Sequence, residues 1–258
     1  MSWGCPELAI VEDSAADGPA RPRADARAIQ DHTGVPTSAF TVCSRDAAEL
    51  SAALRSLPAE VAAVYLTGAE PAKARAAQRE LVAADGVPVI TEEETAGIVL
   101  TAAVLIRSRR LHVAPFDATV VAGSDAMPLL VPLLVASGVG DVVAWRRDDA
   151  ARYPLTEIAR DATVVVDVVG EFEGSALVPP ERSAGLLPLP GLFVALRRGL
   201  VGRLAGDPLG QLDVHRACAH ALTTLAPVDQ PLPELSDPDL ATRVLDAIAG
   251  AVRPPRKR

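Results

Sequence analysis

The stretch from Asp117 to Arg147, DATVVAGSDAMPLLVPLLVASGVGDVVAWRR, decides how the rest of the chain is read. An apolar run, Ala118 to Ala122, breaks at Gly123-Ser124-Asp125. An apolar segment then continues to Val135, turns at Gly138 and Gly140, and resumes as Val142-Val143-Ala144-Trp145. Strand, tight turn, helix and strand make a βαβ unit, and the turn after its first strand is where a nucleotide pyrophosphate meets a helix N-terminus.

The fingerprint of that site is G-x-G-x-x-G/A. Gly123-Ser124-Asp125-Ala126-Met127-Pro128 keeps the first glycine and puts Asp125 at the second. A carboxylate there adds bulk and a like charge where a phosphate would lie, a repulsion of roughly 1 to 4 kcal/mol at a few ångströms. The structural role of Asp125 is the better supported one: an acid beside a helix N-terminus, with Pro128 in the first turn. The candidate cofactor positions for NAD or NADP are Gly123, Ser124, Asp125 and Ala126, with Arg146 after the second strand and Gly170 after a later one. Arg146 or Arg147 would receive a 2′-phosphate and Trp145 would stack on adenine. Beside Asp148-Asp149 the same arginines read better as a solvated basic loop.

Ahead of this unit, short apolar runs alternate with helical segments. Leu8 to Val11, Phe40 to Val42, Val61 to Leu66 and Val87 to Ile90 read as strands. Asp25 to His32, Ser44 to about Ser56 with Ser44 as cap, and Pro71 to Ala84 read as helices between them. A long helix, Glu94 to Arg110, leads into the βαβ unit. After it come a helical segment near Leu155 to Arg160, the strand Thr163 to Val169, an aperiodic Pro- and Gly-rich stretch from Val178 to Gly191, and helices Val214 to Leu225 and Asp237 to Val252. The last is expected to be capped by Asp237, with Pro238 at its first position. The fold class is α/β: an N-terminal α/β lobe over 1–95, a Rossmann-like parallel-sheet lobe over 96–210, and C-terminal helices over 211–258 packing back on the first lobe.

A chain of 258 residues with 49% hydrophobic and 22% charged residues buries a sizeable core. The net charge of −8 argues against nucleic acid as a partner. The one basic tail, Arg253 to Arg258, reads as a frayed end. No apolar run is long enough to span a bilayer, and no signal pattern opens the chain. Cys5, Cys43 and Cys218 have neither disulfide nor zinc spacing, which fits a reducing cytoplasm. His215 and His220 are five apart, the wrong spacing for one helix face. Cys218 reads as a small buried side chain.

In order and spacing, several segments resemble the malic enzymes, the family that oxidatively decarboxylates malate to pyruvate with a nicotinamide cofactor and a divalent metal. They are Gly86-Val-Pro-Val-Ile-Thr-Glu-Glu-Glu-Thr-Ala-Gly97 with Thr101-Ala-Ala103 in the helix that follows, the βαβ unit with Leu133 to Val139, Pro190-Gly-Leu-Phe193, and Pro233 to Leu240 before the last helix. The resemblance sets Asp25 opposite the family's catalytic lysine, between Arg23 and Arg27, and a guanidinium is no general base at neutral pH. It sets Thr67-Gly68 opposite two adjacent metal-ligating acids. Glu92 and Glu93 lie opposite the third ligand, so Glu93 is at most a vestigial metal position, and both suit a charged helix start. The family's asparagines have no counterpart, because the chain contains none. The family's tyrosine-bearing segment precedes the strand with which the sequence opens, and Tyr65 and Tyr153 do not replace it.

The expected function is therefore that of a malic-enzyme-like protein inactive in malate decarboxylation, acting as a binding, regulatory or assembly protein. The resemblance implies a homodimer or a heteromer with a homologue. The alternative is an NAD(P)-dependent oxidoreductase on an altered small organic acid, with a metal-free site around Glu93, Arg23, Arg27 and Arg146. A third is a non-redox enzyme that reuses the cleft between the lobes.

Overall fold

Strands that are apolar along their whole length, rather than at alternate positions, belong in parallel sheets covered on both faces. The computed structural model describes residues 5–14, 20–112, 117–201 and 208–252, and in it such strands build two parallel sheets. The first holds β1 (Glu7–Asp13), β2 (Thr37–Val42), β3 (Val61–Thr67) and β4 (Val89–Thr91) in the order β2-β1-β3-β4. The second holds β5 (Ala118–Ala122), β6 (Asp141–Trp145) and β7 (Val164–Asp167) in the order β6-β5-β7. In each sheet the opening strand is flanked by its two successors, so the winding reverses beside it. The crevice past the strand ends at such a reversal is where open α/β sheets bind ligands.

The first sheet has α2 (Ala47–Arg55) and α3 (Pro71–Ala83) on one face, where Leu50, Leu54, Ala77 and Leu81 meet Val11 and Leu66. On its other face, Leu8, Ile10, Tyr65 and Ile90 share a core with α1 (Ala20–Thr33), α8 (Leu189–Arg197), α9 (Pro208–Leu225) and α10 (Leu240–Ala251). The long α4 (Glu92–Leu111) serves both lobes. Its Ile98, Val99 and Ala102 enter that core, while Leu100 and Val104 pack under the second sheet with Val121, Val164 and α5 (Leu130–Ala136). This double duty explains the breadth of its apolar face.

Several local expectations are corrected. Helix α5 does not start at the turn after β5: residues 123–129 form turns, and the helix opens at Leu130 without a side-chain cap. Asp125 therefore does not sit in its first turn. The aperiodic stretch contains α7 (Arg182–Gly185) and the start of α8, where proline occupies the first turn and costs no hydrogen bond. Helix α8 approaches α10 so closely that a Cβ on Gly191 would lie 2.4 Å from the Val244 Cβ. Helix α10 begins at Leu240 rather than at Pro238, and Asp237 accepts from the Asp239 N–H at 2.9 Å instead of capping it. Asp46, not Ser44, caps α2. Helix α9 reaches back to Pro208. The basic tail at 253–258 lies outside the described residues.

Candidate functional site

At the first reversal, Glu12 is the last residue but one of β1 and Thr67 closes β3. A guanidinium stands between them, brought by α7. Arg182 donates through Nε to Asp25 Oδ2 at 2.6 Å and through Nη2 to Thr67 Oγ1 at 2.9 Å, and its Nη1 lies 3.3 Å from Glu12 Oε1. Asp25 is the position set opposite the family's lysine, and Thr67 one of those set opposite its metal acids. Burial holds the Asp25 carboxyl above its ordinary range. Arg182 pulls the other way, and the charges of Glu12 and Glu92 add to the rise. Arg23 and Arg27 lie on the exposed face of α1. Under the cluster, the Tyr65 hydroxyl pairs with Thr95 Oγ1 at 3.2 Å, and burial pushes its pKa up.

The neighbouring acids each have a structural partner. Lys73, the first lysine of the chain, bonds Asp13 Oδ2 at 2.6 Å and the Ser44 carbonyl at 3.0 Å, while the Ser44 N–H and hydroxyl donate to the same carboxylate. Glu93 forms an ion pair with Arg75. Glu94 completes a capping box with Thr91 and accepts from Gln78 and Gln211. The fully buried His215 of α9 places Nε2 3.9 Å from Glu94 Oε1. Burial lowers its pKa against the pull of Glu94, and neither ring nitrogen has a hydrogen-bond partner among the described residues.

The second reversal is closed differently. Gly123 has φ +76°, and a Cβ there would lie 2.4 Å from Val169 Cγ1, so the Val169 side chain rests directly on the glycine. The Gly123 and Ser124 N–H groups both donate to the Trp145 carbonyl, at 3.0 and 3.1 Å, and the Ala126 N–H donates to the Gly123 carbonyl at 3.0 Å. Asp125 and Ala126 are exposed. Trp145 is buried and donates its indole N–H to the Tyr153 carbonyl at 2.8 Å, so it is not free to stack on a base. Arg147 pairs with Glu171, and Arg146 is exposed at the end of β6. Gly170 donates its N–H to Asp167 Oδ1 at 2.8 Å; Asp167 also accepts from Val169 and Phe172.

Between the lobes lies a pocket of about 260 Å³, lined by Leu66, Thr91, Glu92, Glu93, Met127 and Pro180 among others. Glu92 Oε2 accepts from the Gly68 N–H at 3.1 Å.

These residues do not fit the groups that the resemblance implies. A hard divalent cation needs several free oxygen ligands; Glu93 is neutralised by Arg75, and a guanidinium already bridges Asp25, Glu12 and Thr67. A pyrophosphate needs free backbone N–H groups at the turn, and the three at Gly123, Ser124 and Ala126 are bonded internally. No polar contact among the described residues joins Glu93 to Arg23, Arg27 or Arg146, so the metal-free set does not assemble. Nothing in the sequence spacing points to Arg182. It lies 157 positions from Asp25, in a stretch without periodicity, and no local pattern marks it.

No protein-family description and no curated protein matches the chain. Solved structures do. An NAD-dependent malic enzyme from Thermotoga maritima is similar with a TM-score of 0.70 at 17% identity, over 96% of this chain and 84% of that one. A malic enzyme from Pyrococcus horikoshii gives 0.69 at 15% identity over 96% and 76%, and that of Entamoeba histolytica 0.66 at 11% over 96% and 69%. At such identities the likeness is one of fold: this chain has the fold of these malic enzymes.

Proposed function

We propose that this protein uses the malic-enzyme fold to bind a ligand or a partner rather than to decarboxylate malate. The observation that carries the reading is Arg182, whose guanidinium holds Asp25, Glu12 and Thr67 together at the strand ends of the first lobe. A fixed cation there leaves Asp25 no neutral amine with which to exchange a proton. It also leaves no set of free oxygens to fix a hydroxy acid beside a metal. The closed turn at Gly123 supports the same reading from the other lobe. We further propose self-association, or pairing with a homologue, and residence in a reducing cytoplasm, where the thiols of Cys5, Cys43 and Cys218 stay unpaired. The test is malate oxidation by the purified chain with NAD or NADP and manganese, followed by nicotinamide absorbance. No turnover above the protein-free blank is expected, and sustained turnover overturns the reading.

A further inference from the structure

Residues 178–185 run between two pockets. Pro179 and Pro180 wall the interlobe pocket of about 260 Å³, while Ser183 and Ala184 wall a second of about 430 Å³, which Ala28 and His32 of α1 and residues 232–236 enclose from the other side. The segment is anchored at both ends. Before it, Leu177 donates to the Val165 carbonyl and accepts from the Asp167 N–H, both at 2.8 Å; after it, Leu186 and Leu187 are buried in the core of the first lobe. Between these anchors the backbone holds only to itself, with the Ala184 and Gly185 N–H groups on the Glu181 carbonyl and the Leu186 N–H on the Ser183 carbonyl. Val178, Pro179, Glu181 and Ser183 are exposed, and Glu181 makes no side-chain bond at the start of α7. Among the described residues, the polar contacts that tie this segment to other elements all come from Arg182.

We propose that residues 178–185 are a strap and Arg182 its latch. The strap lifts while both lobes stay folded, which withdraws Pro180 from one pocket and Ser183 and Ala184 from the other and uncovers Glu12, Asp25 and Thr67 between them. One long side chain, 27% exposed, makes all three holding bonds, and water reaches it. Opening also returns something: Glu12 Oε2 is buried and has no hydrogen-bond partner among the described residues, and it gains water when the strap leaves. The apolar seat is small. Gly185 stands over the Tyr65–Thr95 pair, where even a Cβ would lie 3.5 Å from the Tyr65 hydroxyl, and it has no side chain to hold it there. A segment with few buried apolar contacts and a self-contained backbone opens at less than the global unfolding free energy. The strap is independent of what the cleft binds.

The test is amide hydrogen exchange of the full chain, followed residue by residue by NMR in low concentrations of urea. A single helical turn does not keep its bonds in water once it leaves the core, so lifting frees the N–H groups of Ala184, Gly185 and Leu186. These three are expected to exchange through an opening that low urea leaves unchanged, while amides of β1 and β3 exchange more slowly and gain speed with urea, as global unfolding does. Arg182→Gln is expected to speed the three strap amides about tenfold. Arg182→Lys, which keeps the charge without the planar fork, is expected to fall between that variant and wild type. Urea melts of both variants verify the fold, and the urea series on the wild type reads the strap without either of them. Strap amides that share the urea dependence of β1 and β3 overturn the strap, because the segment then opens only with its lobe. Strap amides that Arg182→Gln leaves within about twofold of wild type overturn the latch.

Discussion

At the ends of β1 and β3 the crevice is closed by charge, through an arginine that arrives from the far side of the chain and holds two carboxylates and a hydroxyl. At the ends of β5 and β7 it is closed by packing, through a valine seated on a glycine and a turn whose Gly123 and Ser124 N–H groups bond the Trp145 carbonyl while the Ala126 N–H bonds the Gly123 carbonyl. The same topology is thus filled at its strand ends by two kinds of force. The charged closure depends on ionisation and leaves an acidic pocket beside it. The packed closure depends on shape.

Four changes break or sharpen this contrast. Arg182→Ala strands Glu12 and Asp25 without their cation, and it should lower stability by about 3 kcal/mol in urea denaturation at neutral pH. A variant within a few tenths of a kcal/mol of wild type would mean that the arginine is not structural. Gly123→Ala should cost about 2 kcal/mol, from a left-handed backbone and a clash with Val169. Adding Val169→Ala should return the steric part and leave the backbone part, so a double variant no better than the single one would contradict the packed closure.

The third change concerns pH. His215 is buried with a lowered pKa, so the unfolded chain binds its proton more tightly than the folded one. Its contribution is full above the unfolded value of about 6.5 and is lost as pH falls below it, with a slope of up to about 1.4 kcal/mol per pH unit. His215→Leu should flatten this loss in denaturation curves from neutral to acidic pH. Asp25 has the opposite sign: its raised pKa favours the folded state at low pH, and that advantage fades as pH rises past the ordinary aspartate range. The smallest effect is expected for Thr67→Val, which removes one acceptor from Arg182 at about 1 kcal/mol. An unchanged midpoint would place the holding force in Asp25 and Glu12 alone.

The alternation of elements was legible because strands buried on both faces read as continuous apolar runs. Leu8 to Val11, Val61 to Leu66 and Ala118 to Ala122 all lie inside observed strands. Helix α8 was hidden because its first turn is Leu189-Pro190-Gly191, and what holds it is the core it fills with Leu192 and Phe193, a tertiary effect. The delayed start of α5 was hidden for a related reason, since a pattern of apolar residues does not reveal whether a turn bonds to itself or to a helix. In the sites, the missing lysine, acids and asparagines could be read directly. What fills their place could not, because Arg182 and Val169 act through contacts that no local spacing encodes. Trp145 was legible as the end of a strand, while its burial depended on the Tyr153 carbonyl opposite it.

The most direct test of the central claim, that the positions for metal and pyrophosphate are filled from within, is calorimetric titration of the purified chain with NAD and with NADP, each with and without manganese. The account predicts no saturable heat with either nucleotide under any of these conditions. Binding tighter than about 100 μM, near −5.5 kcal/mol, would contradict it, because that affinity requires the turn at Gly123 to release its N–H groups to a phosphate.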